Sequence, residues 1–131
     1  MATFKSFEDI EAWQLARVLA KKIFFLTKSL SFANDFGLIN QMRNSSGSIM
    51  DNIAEGFERN GNREFIQFLS ISKGSAGELR SQVHRSFDRN YITENKYKEL
   101  EDSCIEISGK IEKLINYLNK SDYKGHKFKE P

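Results

Sequence analysis

Apolar residues recur along this chain with helical periodicity through four long stretches that lack proline, and short clusters of Ser, Asn, Asp or Gly separate them. The pattern predicts four helices near residues 7–30, 33–57, 62–89 and 94–119. Ser6, with Asp9 three residues on, caps the first; Ser31 or Asn34 caps the second; Asn60-Gly61-Asn62 breaks the chain before the third; Thr93 caps the fourth. Connections this short favour antiparallel neighbours, so the expected fold is all-α, an antiparallel up-and-down four-helix bundle. One bundle domain over 1–120 and a flexible tail over 121–131 account for the whole length.

The fourth segment carries the cleanest seam, Tyr97, Leu100, Cys104, Ile107, Ile111, Leu114 and Leu118. The third has Phe65, Leu69, Ser72, Ala76, Leu79 and Val83, and the second Leu38, Met42, Ile49, Ile53 and Phe57. The first is broader: Leu15, Leu19, Leu26 and Leu30 form one stripe, and Trp13, Ala16, Ala20 and Phe24 another beside it. That surplus, Trp13 and Phe24 above all, is expected to bury against a second copy of the chain.

Two further stripes call for a contact. Ser70, Gly74, Gly77 and Ser81 form a line of small residues turned away from the third segment's seam. Each mid-helix glycine costs about 1 kcal/mol relative to alanine, and close approach of another helix, within the bundle or from a neighbouring subunit, would offset it. On the second segment Gln41, Ser48, Asn52, Glu55 and Arg59 share a polar face. Such a face can lock a subunit contact, meet a ligand, or remain a solvated surface with one Glu55–Arg59 ion pair.

Composition narrows the chemistry. The 20 Lys and Arg against 18 Asp and Glu leave a formal charge of +2, too small to argue a nucleic-acid partner globally. Locally, Lys73, Arg80 and His84 fall in one sector of the third segment, with Arg85 and Arg89 beside them. Beyond Lys120, Lys124, Lys127 and Lys129 alternate with Tyr123, His126 and Phe128, a composition suited to phosphate contact and stacking, or simply to a solubilising end. A single cysteine excludes an internal disulfide, and Cys104 reads as a seam residue. A carboxylate-bridged metal bundle needs Glu-x-x-His pairs, but Ser81 precedes His84 by three residues and Tyr123 precedes His126 by three. No catalytic set, metal site or cofactor is expected. With no apolar leader and no membrane-length apolar run, the chain reads as a cytoplasmic protein without a membrane partner.

Several motifs combine into a recognisable set: Trp13-Gln14, Gly37-Leu38, Gln41-Met42-Arg43, Ser48-Ile49, Asn52-Ile53-Ala54-Glu55-Gly56, Phe68-Leu69, Gly74-Ser75 and Glu78-Leu79. Over nearly the whole bundle they resemble the 23S rRNA intervening-sequence protein family, some of whose members are encoded inside insertions in ribosomal RNA genes. The chain departs from that pattern in lacking a proline in Ser31-Phe32-Ala33-Asn34, in Asn44 standing for a common arginine, and in Arg80 standing at a typically acidic position. The resemblance implies a bundle assembling as a ring, a homopentamer, and no settled activity. Similar bundles serve diversity-generating retroelements beside a reverse transcriptase and nucleic acid. Two functions follow as expectations: a non-enzymatic homo-oligomer that associates with RNA or another nucleic acid, or a protein-interaction scaffold that binds no nucleic acid.

Overall fold

The structure, a computed structural model, describes residues 4–120. A 3-10 turn, Phe7–Asp9, precedes four α-helices: α1 Glu11–Leu26, α2 Phe36–Glu58, α3 Asn62–Asp88 and α4 Glu94–Lys120. No strand occurs among the described residues. The basic, aromatic segment beyond Lys120 lies outside them.

The seams expected for α2, α3 and α4 form the interior. Met42, Ile49, Ile53, Phe65, Leu69, Leu79, Val83, Cys104, Ile107 and Ile111 are all buried, and Phe57 meets Phe65 edge to face with ring centroids 6.0 Å apart. Hydrogen bonds knit the helices where serines replace larger seam residues. The Ser72 hydroxyl donates to the Ile49 carbonyl at 2.7 Å, and the Ser86 hydroxyl to the Met42 sulfur at 3.3 Å. On the outside of α1 and α4, Glu11 meets Lys110 at 3.2 Å and Lys22 meets Glu99 at 3.1 Å.

The first helix is shorter than its periodicity suggested. The Asp9 carboxylate does accept from the backbone N–H groups of Lys5 and Ser6, but it closes the 3-10 turn, and the extended, buried Ile10 separates that turn from α1. At the other end the Thr27 hydroxyl donates to the Ile23 carbonyl at 2.7 Å, satisfying one of the helix's last acceptors. Turns then run from Thr27 to Asn34, with Ala33 at a left-handed φ of 35° and Phe32 buried beneath them. Leu30, expected in an apolar stripe, therefore lies past the helix end and is 93% exposed. The second helix is capped by neither Ser31 nor Asn34: the Asp35 carboxylate accepts from the Leu38 N–H at 3.3 Å and starts it three residues later than expected.

Two glycines shape the turn between α2 and α3. Gly61 precedes α3 with φ at 93°, a conformation that excludes most side chains. Gly56, in the last turn of α2, packs tightly against α3: a Cβ built on it would stand 2.7 Å from the Phe68 Cβ and 3.0 Å from the Phe65 ring. Thr93 caps α4 through its hydroxyl, which accepts from the Lys96 N–H at 3.2 Å.

Candidate interaction surfaces

The polar stripe of α2 divides between neighbours rather than forming one free face. Ser48 Oγ lies 2.9 Å from Ser75 Oγ on α3, and the Asn52 amide donates to both the carbonyl and the hydroxyl of Ser48, at 2.8 and 2.9 Å. The three side chains fix one another across the helix pair. At the far end of the stripe the Gln41 carbonyl oxygen accepts from the Arg85 guanidinium. Arg59 meets Glu55 at 2.8 Å, one helical turn away, and stands over the Phe68 ring at 4.9 Å. Between these anchors Arg43, Asn44, Gly47, Asp51 and Glu55 line a shallow polar depression with Ser48 and Asn52.

Of the cations expected to form a nucleic-acid patch on α3, all but Arg85 are instead matched with carboxylates. Lys73 faces Glu112 at 3.7 Å, and Arg80 approaches Glu101 at 3.5 Å. His84 bridges two α4 residues: its Nε2 is 3.1 Å from the same Glu101 carboxylate and its Nδ1 is 2.8 Å from the Tyr97 hydroxyl. A neutral imidazole satisfies both contacts by donating from Nε2 and accepting the phenol O–H at Nδ1. Burial, then the nearby Glu101 and Asp88 carboxylates, raise the Tyr97 phenol above its ordinary range, and Phe87 stacks on its ring at 4.3 Å.

Arg89 belongs to a different cluster, at the end of the bundle. Its guanidinium meets Asp35 at 2.6 Å, and the Tyr91 hydroxyl donates to the same carboxylate oxygen at 2.8 Å. The Tyr91 hydrogen bond and then the Arg89 one hold the Asp35 carboxyl below the usual range. The five proposed cations thus point to three places: Lys73, Arg80 and His84 toward α4, Arg85 toward α2, and Arg89 toward the loop before α2. A cation within 4 Å of a carboxylate presents a dipole more than a net charge to a distant partner, and salt screens what remains.

Of the expected subunit contacts, Trp13 has been taken up by its own chain. It is 8% exposed, edge to face with Phe7 at 5.2 Å, and with Ala12, Ala16, Leu19 and Ile23 it forms the true core face of α1. Phe24 stays 40% exposed. The residues that α1 turns outward, Val18 and Phe25, were not singled out by the sequence, because two apolar stripes flank each other there and small alanines mark the buried one. Gly74 and Gly77 face open space: a Cβ on either would meet nothing within 4 Å. Ile71 on α3 and Ile105 on α4 are also exposed, and a shallow groove between the two helices is floored by Ala76, Gly77, Ser108 and Gly109.

Cys104 lies at the base of that groove but is 1% exposed. Burial chiefly, with opposing effects of Arg80 and Glu101, pushes its thiol up to about 12. Among the described residues no group of three His, Cys, Asp or Glu could hold a metal ion, and no helix is long and apolar enough to cross a membrane.

Comparison with known proteins agrees with this architecture. Residues 8–113 match the family model described as 23S rRNA-intervening sequence protein. Among solved structures, the chain is similar to a protein with unknown function from the S23 ribosomal protein family of Bacteroides thetaiotaomicron VPI-5482. The two are 25% identical with a TM-score of 0.74, covering 79% of this chain and 97% of that one. No curated protein matches the chain.

Proposed function

The chain belongs to the 23S rRNA-intervening sequence protein family, and from that premise we propose that it is a non-enzymatic, antiparallel four-helix bundle that assembles with copies of itself into a ring and acts by binding RNA or another nucleic acid. The observation that carries self-assembly is the bare side of α3 and α4. Gly74 and Gly77 give up helix stability for no contact within the chain, and Ile71 and Ile105 are left exposed beside them. A helix of a neighbouring copy is the occupant that gives such small residues a purpose, and a head-to-tail contact closes into a ring when the rotation between copies allows it. A homopentamer is the stoichiometry that the family resemblance suggests. Opposed pairings such as Glu11 with Lys110 and Lys22 with Glu99 favour the antiparallel reading.

Binding, not catalysis, suits the side chains available. The buried Cys104 thiol is held protonated, and His84 is engaged by Tyr97 and Glu101. A second reading, a protein-interaction scaffold indifferent to nucleic acid, is favoured by the matching of Lys73, Arg80 and Arg89 with carboxylates.

Absolute mass by light scattering behind a sizing column separates the readings. A mass about fivefold that of one chain, rising further with structured RNA at low salt and losing that rise at moderate salt, supports the first. An oligomer whose mass ignores RNA supports the scaffold. A monomer overturns self-assembly.

A further inference from the structure

Matching Lys73, Arg80 and Arg89 with carboxylates weakens α3 as a polyanion site, whereas the outer face of α1 gathers cations that have no such partner. Arg17, Lys21 and Phe25 follow each other at four-residue spacing, a line that advances about 6 Å per step along one side of the helix. Lys28 continues past the helix end. Among the described residues none of Arg17, Lys21, Lys28 or Arg43 has a carboxylate within ion-pair distance, whereas Lys22, one position from Lys21, is turned to Glu99.

The same surface displays aromatic rings. Phe25 is 58% exposed and stands edge to face with Phe24 at 5.3 Å. The Lys28 ammonium is 4.5 Å from the Phe24 centroid and 5.5 Å from that of Phe25, and the Arg43 guanidinium lies 4.7 Å from Phe24. Arg43 is held there from behind, its Nε donating to the Thr27 hydroxyl at 2.9 Å. Cations anchored beside exposed rings, without acids to neutralise them, offer both elements that unpaired nucleic acid uses: charge for successive phosphates and a platform for a base. A duplex, whose base faces are stacked inside, would use the charge alone. An acidic peptide would likewise leave the platform without a specific role.

We infer that the outer face of α1, with Phe25 as base platform and Arg17, Lys21 and Lys28 as phosphate contacts, binds single-stranded RNA or DNA. The inference rests on the nucleic-acid reading above and gives it a site distinct from the α3 cations. In a ring the face recurs once per subunit, so modest affinity at each copy adds along one strand.

The test is fluorescence anisotropy of the full chain with labelled oligouridine of about twelve nucleotides, within the usual span of single-strand sites. A duplex of equal length, a glutamate-rich peptide and a salt series between about 50 and 200 mM complete it. The single strand binds more tightly than the duplex or the peptide. Phe25→Ala weakens single-strand binding about tenfold without changing its salt dependence, the loss of one stacked base. Lys21→Glu with Lys28→Glu weakens it further and lowers the salt slope by about 1.4, for two lost phosphate contacts. Lys73→Glu with Arg80→Glu leaves it near wild type. Light scattering confirms that the α1 variants keep the wild-type mass.

Variants of α1 that bind like wild type overturn this site but leave the nucleic-acid reading standing. Peptide binding as tight as oligouridine binding, or α1 variants that lose mass together with affinity, overturn it in favour of a protein contact. A wild-type chain that binds no nucleic acid at low salt overturns both.

Discussion

A Cβ placed on Gly56 would come within 2.7 Å of the Cβ of Phe68. Both atoms sit next to backbone, so neither can rotate away, and α2 and α3 would have to separate locally. Gly56→Ala therefore lowers unfolding free energy by about 2 kcal/mol despite alanine's better helix propensity, the usual scale of overpacking. In thermal melts of a domain this size that is a fall of roughly 5–10 °C.

Gly74→Ala and Gly77→Ala carry the opposite sign for the isolated subunit. Each added methyl enters open space, so each raises stability by about 0.5–1 kcal/mol in denaturant titrations on dilute protein. Where these glycines seat a neighbouring copy, the same methyls push it away. The expected pairing is a more stable subunit with a lower mass by light scattering, and an unchanged mass would remove this face from the interface.

Asp35 ties the α1–α2 connection to Arg89 and Tyr91, and its carboxyl is held below the ordinary value of 3.8. A depressed carboxyl contributes stability above its unfolded pKa and loses it as pH falls through the folded one. The melting-temperature difference between wild type and Asp35→Asn should be full at neutral pH and shrink below about pH 4, the unfolded carboxylate range. Glu99, lowered by Lys22 and then Lys96, adds to the same acid limb.

The residues show why some of this was legible in the sequence and some was not. The α4 seam from Leu100 to Leu118 reads directly, because steps of three and four leave one geometry available. On α1 the size pattern misleads: small Ala12 and Ala16 face the core while Phe24 and Phe25 face out, so the pattern points Trp13 toward a partner although its own chain buries it. The end of α1 depends on a Thr27 hydroxyl that hydrophobic periodicity ignores. Matching Arg80 with Glu101, or Lys73 with Glu112, requires the register of two helices, which a single sequence does not carry. The motif ending in Gly56 was visible, but the Phe68 contact that makes it necessary was not.

Charge reversal at Arg80 tests whether that pairing stabilises the bundle. Arg80→Glu faces Glu101, whose side chain is only partly exposed and also receives His84, so two carboxylates would meet where one is matched now. The expected loss is about 1 kcal/mol, at the upper end for surface pairs. Glu101→Lys in the same chain restores an opposite-charge pair and should recover most of it. A coupling near zero in the double-mutant cycle would show that Arg80 is held by packing alone.

Cys104 gives a readout of opening between α3 and α4. Its sulfur lies beneath a groove that includes Lys73, Gly77 and Arg80, yet it is buried and its thiol is raised to about 12. At pH 8 an unperturbed thiol is substantially ionised, whereas this one reacts only when the helices part or the chain unfolds. Iodoacetamide should leave the native protein unmodified over times that fully label it in denaturant, with a slow native rate governed by opening. Rapid native labelling at pH 8 would mean that α3 and α4 separate readily, and that the groove is deeper in solution than its floor of Ala76 and Gly109 suggests.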